Sequence, residues 1–308
     1  MARRTRARCQ TFAGPIVGVL MTTQYSEFLP PNRLLMGAGP SNVHPRVLQS
    51  MTSSLLGHLD PVFLQAMDDV RGMLREVFIP ENEMTFPVSG TGSAGMEFCL
   101  VNLIEPGDEV VIGVNGYFGG RLADIAARSG AKVTTVESDW GDIIRPEQIA
   151  TALETVKPKL VAIVHAETST GVLTPVEEIS RLAHEAGALL VLDTVTSLGG
   201  CPVRIDDWQI DAAYSASQKC LGSACGVAPV TLSPRAMEAV ANRQTPVQSF
   251  YLDVNLLQKY WTGSPRAYHH TAPILMNYAL HEALRLVLEE GLEARWARHE
   301  ANHRALAD

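Results

Sequence analysis

The chain is short of charge, of aromatic rings and of paired cysteines, and each shortage removes a class of protein. No apolar run in its 308 residues approaches the length of a membrane-spanning helix, so no membrane partner is expected. Charged residues make up 19%, and 25 Lys and Arg stand against 33 Asp and Glu, a net charge of −8. That acidic balance argues against a nucleic-acid-binding surface and for small-molecule partners. The five cysteines, Cys9, Cys99, Cys201, Cys220 and Cys225, are odd in number and contain no Cys-x-x-Cys pair. They suggest a reducing, cytoplasmic compartment rather than a disulfide framework. What is present is 46% hydrophobic sequence, enough for one large α/β domain or two smaller ones.

The first twenty residues imitate a secretory signal, because Arg3, Arg4, Arg6 and Arg8 precede the apolar stretch Phe12 to Leu20. Gly14-Pro15 and Gly18 interrupt that stretch, and no small-x-small cleavage site follows. Residues 1–24 read instead as a disordered or wrongly included extension, with natural sequence starting near Met21.

From Thr85 onward, short β-rich runs alternate with amphipathic segments. This pattern predicts an α/β fold, a mostly parallel seven-stranded sheet with helices on both faces. Strands are expected at Thr85 to Ser89, Glu109 to Val114, Lys132 to Val136, Lys159 to His165, Ala188 to Asp193, Asp211 to Ser215 and Val227 to Leu232. Helices are expected at Ser93 to Ile104, Phe118 to Ser129, Pro146 to Thr155 and Pro175 to Ala186, the last two with proline in the first turn. A long helix should follow Pro273 to Glu290, and after Gly291 a second should run to the last residue, which reads as a cut end. In such sheets ligands lie beyond the carboxyl ends of the strands. Those ends gather Ser89-Gly-Thr-Gly92, Asn115-Gly-Tyr-Phe118, His165-Ala-Glu-Thr168, Asp193 and Ser215-Ala-Ser-Gln-Lys219.

Three motifs mislead. Gly90-Thr-Gly92-Ser-Ala-Gly95 fits the dinucleotide fingerprint, but the next strand ends in Asn115-Gly116 where that reading needs an acid. The loop still suits a phosphate, since its glycines admit close approach to backbone N–H groups at a helix start. His299-Glu-Ala-Asn-His303 matches a zinc-hydrolase motif with too little chain after it for a third ligand, on a polar surface helix. His269-His270 are adjacent, and neighbouring side chains usually point apart, which favours structural or single contacts over a metal site.

The stronger signal is an ordered set. Asp193 ends the most hydrophobic strand, and Lys219 sits on a later strand-end loop. A strand-end carboxylate and a nearby lysine are what pyridoxal 5'-phosphate needs: an anion to hold its pyridine nitrogen protonated and an amine to form a Schiff base and then act as general base. Thr91 and Gln218 can donate to the phosphate, Thr168 to the phenolic oxygen, and Phe118 offers a face for the ring.

Pro87-Val-Ser-Gly-Thr-Gly92, His165-Ala-Glu-Thr-Ser-Thr-Gly171, Leu192-Asp-Thr-Val-Thr-Ser-Leu-Gly-Gly200, Ser215-Ala-Ser-Gln-Lys219 and Tyr268-His-His-Thr271 together resemble the alanine–glyoxylate (serine–pyruvate) aminotransferase family, class V enzymes of fold-type I, from about Asn32 to the end of the chain. The resemblance implies a homodimer with active sites at the subunit interface. It gives Lys219 the Schiff-base position, Asp193 the pyridine-nitrogen position and Val195 a place against the ring. Thr91, Gly92 and Gln218 fall at the phosphate, Ser89, Gly90 and Ser93 among the other cofactor-binding positions, Tyr268 and Thr271 reach the phosphate of the neighbouring subunit, and Gly37, Ala38 and Gly39 lie beside the substrate. Some relatives carry a histidine where this chain has Ser93 and a tryptophan where it has Phe118. The family's substrate-carboxylate arginine belongs to a C-terminal domain beyond this chain's end.

The implied division is an extension at 1–24, an N-terminal arm at 25–45, a large cofactor-binding domain at 46–272, and linker helices at 273–308. The expected reaction moves an amino group from alanine or serine to glyoxylate or pyruvate. Alternatives are a ureidoglycine–glyoxylate aminotransferase, which Asp206-Asp-Trp-Gln-Ile-Asp-Ala-Ala213 also resembles, a cysteine desulfurase-like lyase, and a non-catalytic cofactor-binding fragment.

Overall fold

A computed structural model describes residues 25–307. The signal-like segment therefore lies outside the described residues. Residues 25–34 contain neither helix nor strand, and the architecture below concerns the unit that begins at Leu35.

Helices α1 (Pro45–Ser50) and α2 (Pro61–Phe78) precede strand β1 (Met84–Ser89). Then come α3 (Gly92–Leu103), β2 (Glu109–Val114), α4 (Tyr117–Arg128), β3 (Lys132–Glu137), α5 (Pro146–Thr155) and β4 (Leu160–Val164). A two-stranded ribbon of β5 (Ala166–Glu167) and β6 (Val172–Leu173) leads to α6 (Glu177–Glu185), β7 (Leu189–Asp193), β8 (Ala212–Tyr214) and β9 (Val227–Leu232). Helices α7 (Pro234–Ala241), α8 (Val254–Trp261), α9 (Ile274–Glu290) and α10 (Leu292–Ala307) complete it.

The seven-stranded sheet has the order β1-β9-β8-β7-β4-β2-β3. Strand β9 alone runs against its neighbours, β1 and β8, and all other pairs are parallel. Central strands β4 and β7 are buried along their whole length, which is why they read as unbroken apolar runs. Edge strand β3 (Lys-Val-Thr-Thr-Val-Glu) is mostly solvent-facing and carries charge at both ends. Side chains alternate across the sheet: Ile112, Ala162, Val191 and Tyr214 pack with α3, α4 and α8, whereas Val111, Ile163, Leu192 and Ala213 pack with α5, α6 and α9.

The expected seven strands and the mixed α/β layering are borne out, with ends shifted by a residue or two. Pro146 does open α5, but Pro175 does not open α6. That helix begins at Glu177 after Val176, and the proline ends the loop from the β5–β6 ribbon. Helix α9 packs on the core through Leu280, Leu284 and Val287, all fully buried. Helix α10 buries no residue.

Candidate active site

Asp193 and Tyr214 end neighbouring parallel strands and are paired in register. The Tyr214 hydroxyl donates to Asp193 Oδ2 at 2.7 Å, and the Val195 N–H donates to Oδ1 at 2.8 Å. Both side chains are buried. Burial pushes the Asp193 carboxyl up to about 6 despite these two donors. A buried carboxylate in that condition is completed by a cationic N–H partner, which would return its pKa to the ordinary range.

Asp193 lines a cavity of about 150 Å³ together with Thr91, Gly92, Ser93, Phe118, Arg121, Val195, Gln218 and Lys219. Thr91 caps α3 without a side-chain capping bond, so the positive end of that helix and the Thr91 and Ser93 hydroxyls border the cavity. Gly92 is required there, since a Cβ would lie 2.9 Å from Ala216 Cβ. Gln218 Oε1 is buried without a hydrogen-bond partner. An anion-binding helix start at one side and a buried carboxylate seeking a cation at the other fit a phosphorylated pyridine.

Lys219 borders both this cavity and a wider one of about 550 Å³. Its Nζ donates to Ala38 O at 2.9 Å. Gly37, Ala38, Gly39 and Thr168 line the wider cavity, as do Thr196, Arg295, Arg298 and His299. The Thr168 hydroxyl lies 3.5 Å from that of Thr196. Of the three misleading motifs, the α10 histidine run thus sends His299 to the cavity wall.

Other sequence-nominated residues stand apart. Ser89 Oγ is hydrogen-bonded to His270 Nε2 at 2.6 Å, and Gly90 N–H donates to Gly226 O at 3.0 Å. Tyr268 and Thr271 are exposed, and neither borders the cavities that Lys219 lines. The expectation that His269 and His270 point apart fails: their Nδ1 atoms are 2.8 Å from each other, with His269 stacked on Phe250. Burial pushes His270 down to about 4, with His269 adding to the effect.

Two residues escaped the sequence reading. Arg121 donates to Ser93 Oγ at 2.8 Å and lies 4.9 Å from the Phe118 ring centre. Its signal was its place one helical turn after Phe118. Glu167, buried, accepts from the N–H groups of Phe118 and Gly119 through Oε2 and from Ser169 through Oε1. It caps α4 from outside and so fixes the Phe118 ring. Gly116 leaves room for it, as a Cβ there would meet Glu167 Cγ at 2.4 Å.

A mostly parallel sheet with one reversed strand, a buried strand-end aspartate and a lysine on the facing loop define the fold-type I transferases. Within that class, the aminotransferase class-V family model matches residues 33–308, and the chain belongs to this family of pyridoxal phosphate-dependent transaminases. The chain is 41% identical to the (S)-ureidoglycine–glyoxylate transaminase of Bacillus subtilis, over 91% of this chain and 72% of that protein. It is 40% identical to the alanine–glyoxylate aminotransferase of Felis catus, over 96% and 71%. The crystal structure of an alanine–glyoxylate aminotransferase from Nostoc sp. superposes with a TM-score of 0.90 at 54% identity, covering 92% of this chain and 75% of that one.

Proposed function

We propose that this transaminase moves an amino group from a small amino acid, alanine or serine, to glyoxylate or pyruvate, with pyridoxal 5'-phosphate held by residues 46–272. The observation that carries the reading is that Asp193 and Lys219 line one small cavity beside the N-terminus of α3. Thr91, Gly92, Ser93 and Gln218 would hold the phosphate, with Ser89 and Gly90 shaping the turn behind them. Asp193 would pair with the pyridine nitrogen, Val195 and Phe118 would flank the ring, and Thr168 would meet the phenolic oxygen. When bound, the cofactor supplies an electron sink for the pair left at the donor's α-carbon.

Lys219 Nζ is the amine that would hold the cofactor and, when free, the general base that would take the donor's α-proton and, as its conjugate acid, give it back. Asp193 would hold the pyridine nitrogen in its protonated form, and Tyr214 fixes the carboxylate's orientation. Gly37, Ala38 and Gly39 leave backbone atoms beside the donor.

A homodimer accounts for Tyr268 and Thr271, whose exposure on their own chain suits residues that reach the phosphate of a second copy. A cytoplasmic setting is in keeping with the four described cysteines, all free thiols. No helix of the described residues is long and apolar enough to cross a membrane. Ureidoglycine is the alternative donor, in keeping with the 41% identity to the Bacillus subtilis enzyme.

The test is the visible spectrum of the protein supplied with pyridoxal phosphate, before and after alanine, serine or ureidoglycine. A cofactor band that disappears on adding a donor, and is absent in Lys219→Ala, is the expected result. A Lys219→Ala variant with undiminished turnover would overturn it. Whichever donor discharges the band fastest identifies the amino source.

A further inference from the structure

Three consecutive carbonyl oxygens at Lys219 are gripped from two sides. Ser41 donates its N–H to Gln218 O at 3.1 Å, and its hydroxyl lies 3.3 Å from Gln218 O and 3.4 Å from Lys219 O. On the other side Arg295 Nη2 donates to Cys220 O at 2.5 Å. Arg295 comes from α10, a helix that buries none of its own residues, yet its side chain is only 13% exposed.

Its guanidinium is itself held. Glu290, the last residue of α9, accepts from Arg295 Nη1 at 2.6 Å and from Arg298 Nε at 2.6 Å and Nη2 at 2.9 Å. The Arg298 and Arg295 hydrogen bonds bring the Glu290 carboxyl down to about 2. Thus the core-packed α9 anchors Glu290, Glu290 orients Arg295, and Arg295 fixes the carbonyl next to Lys219. A planar guanidinium with several donors can serve two fixed acceptors in this way, where an ammonium has no such fork.

We propose that Arg295 is a positioning residue for Lys219, acting through Cys220 O and held in register by Glu290. The proposal rests on Lys219 being the cofactor's lysine. Arg295 also borders the wider cavity, and its Nη1 and Nη2 already donate to Glu290 and Cys220, which ties the guanidinium to the backbone beside Lys219. Its effect falls on how fast the Lys219 amine reaches its reacting partner.

The test compares the full chain with Arg295→Met, which keeps the length and apolar packing of the stem, with Arg295→Lys, and with Glu290→Gln. Cofactor-free protein is mixed with pyridoxal phosphate and the rate of formation of the bound-cofactor band is followed. Backbone amide exchange across residues 216–224 is measured on the cofactor-free proteins. Arg295→Met is expected to form the band about tenfold more slowly, with faster exchange in that segment. Arg295→Lys should recover part of both losses, and Glu290→Gln should show a smaller loss of the same kind. Wild-type rates and exchange in Arg295→Met and Glu290→Gln would overturn the proposal while leaving the cofactor reading intact. If wild type forms no band, the cofactor reading fails and the assignment of Arg295 fails with it. If Arg295→Met does not fold, Glu290→Gln decides on the same two readouts.

Discussion

Tyr214 donates a 2.7 Å hydrogen bond to Asp193 from the adjacent strand end, yet the carboxyl still sits near 6 because burial outweighs both of its donors. The folded-state pKa therefore lies above the ordinary aspartate value of 3.8. A raised carboxyl pKa contributes stability below the unfolded value, and that contribution is lost as pH rises through about 6. Without cofactor, Asp193 thus costs up to about 3 kcal/mol at pH 7.5. Asp193→Asn removes this titration but gives up one of the two acceptors, so the variant should lose less stability than wild type between pH 4 and pH 7.5, by up to about 3 kcal/mol, while activity is lost. Denaturant unfolding at the two pH values checks this, and equal changes with pH in the two proteins would contradict it.

Glu167 performs a task that glutamine cannot. Its two oxygens accept from Phe118 and Gly119 on one side and from Ser169 on the other. Glutamine brings one oxygen and one donor group, so one side loses its acceptor. Glu167→Gln should cost about 1–3 kcal/mol, read as a lower thermal midpoint. It should also weaken pyridoxal phosphate binding, because the α4 start that carries Phe118 loosens. Equilibrium dialysis against the cofactor separates that effect from stability.

Sequence made the central strands legible because parallel strands buried on both faces leave apolar runs such as Leu160-Val-Ala-Ile-Val164 and Leu189-Leu-Val-Leu192. Asp193 and Lys219 were legible because the ends of such strands collect ligand groups, and the structure brings both to one cavity. Glu167 and Arg295 were not, since their roles come from contacts across the fold that leave no period in the chain: Glu167 with Phe118, and Arg295 with Cys220. The ribbon of β5 and β6 is two residues per strand, too short for an alternating pattern. The joined imidazoles of His269 and His270 run against the rule that adjacent side chains diverge, because loop backbone there follows neither helix nor strand geometry.

His165 follows the end of β4, buried, with Nδ1 lacking a partner and its ring edge-on to Trp208 at 5.4 Å. Burial pushes its pKa down to about 4 from 6.5. The unfolded chain therefore binds a proton across that window and the folded one does not. Stability is complete above about 6.5 and falls as pH drops toward 4. Between pH 7 and pH 5 this one residue should account for about 2 kcal/mol. Replacing it with Gln removes the titration, so the stability of His165→Gln should fall less over that range than that of wild type. Parallel slopes for the two proteins would show that His165 does not carry the acid sensitivity.

Gly39 lies under the Lys219 side chain, and this contact gives a sharp pair of variants. A Cβ at Gly39 would come 2.5 Å from Lys219 Cδ and 2.8 Å from Nζ, and the residue has φ +116°. Gly39→Ala must therefore strain the backbone by about 1–2 kcal/mol and push Nζ away from Ala38 O. Gly37, two residues earlier on the same cavity wall, would carry a Cβ with nothing within 4 Å of it. Gly37→Ala should transaminate within about twofold of wild type, whereas Gly39→Ala should lose about tenfold or more in turnover through displacement of the amine. Steady-state rates with alanine and glyoxylate decide it. Equal losses in the two variants would mean that the loop as a whole, rather than the contact between Gly39 and Lys219, sets the rate.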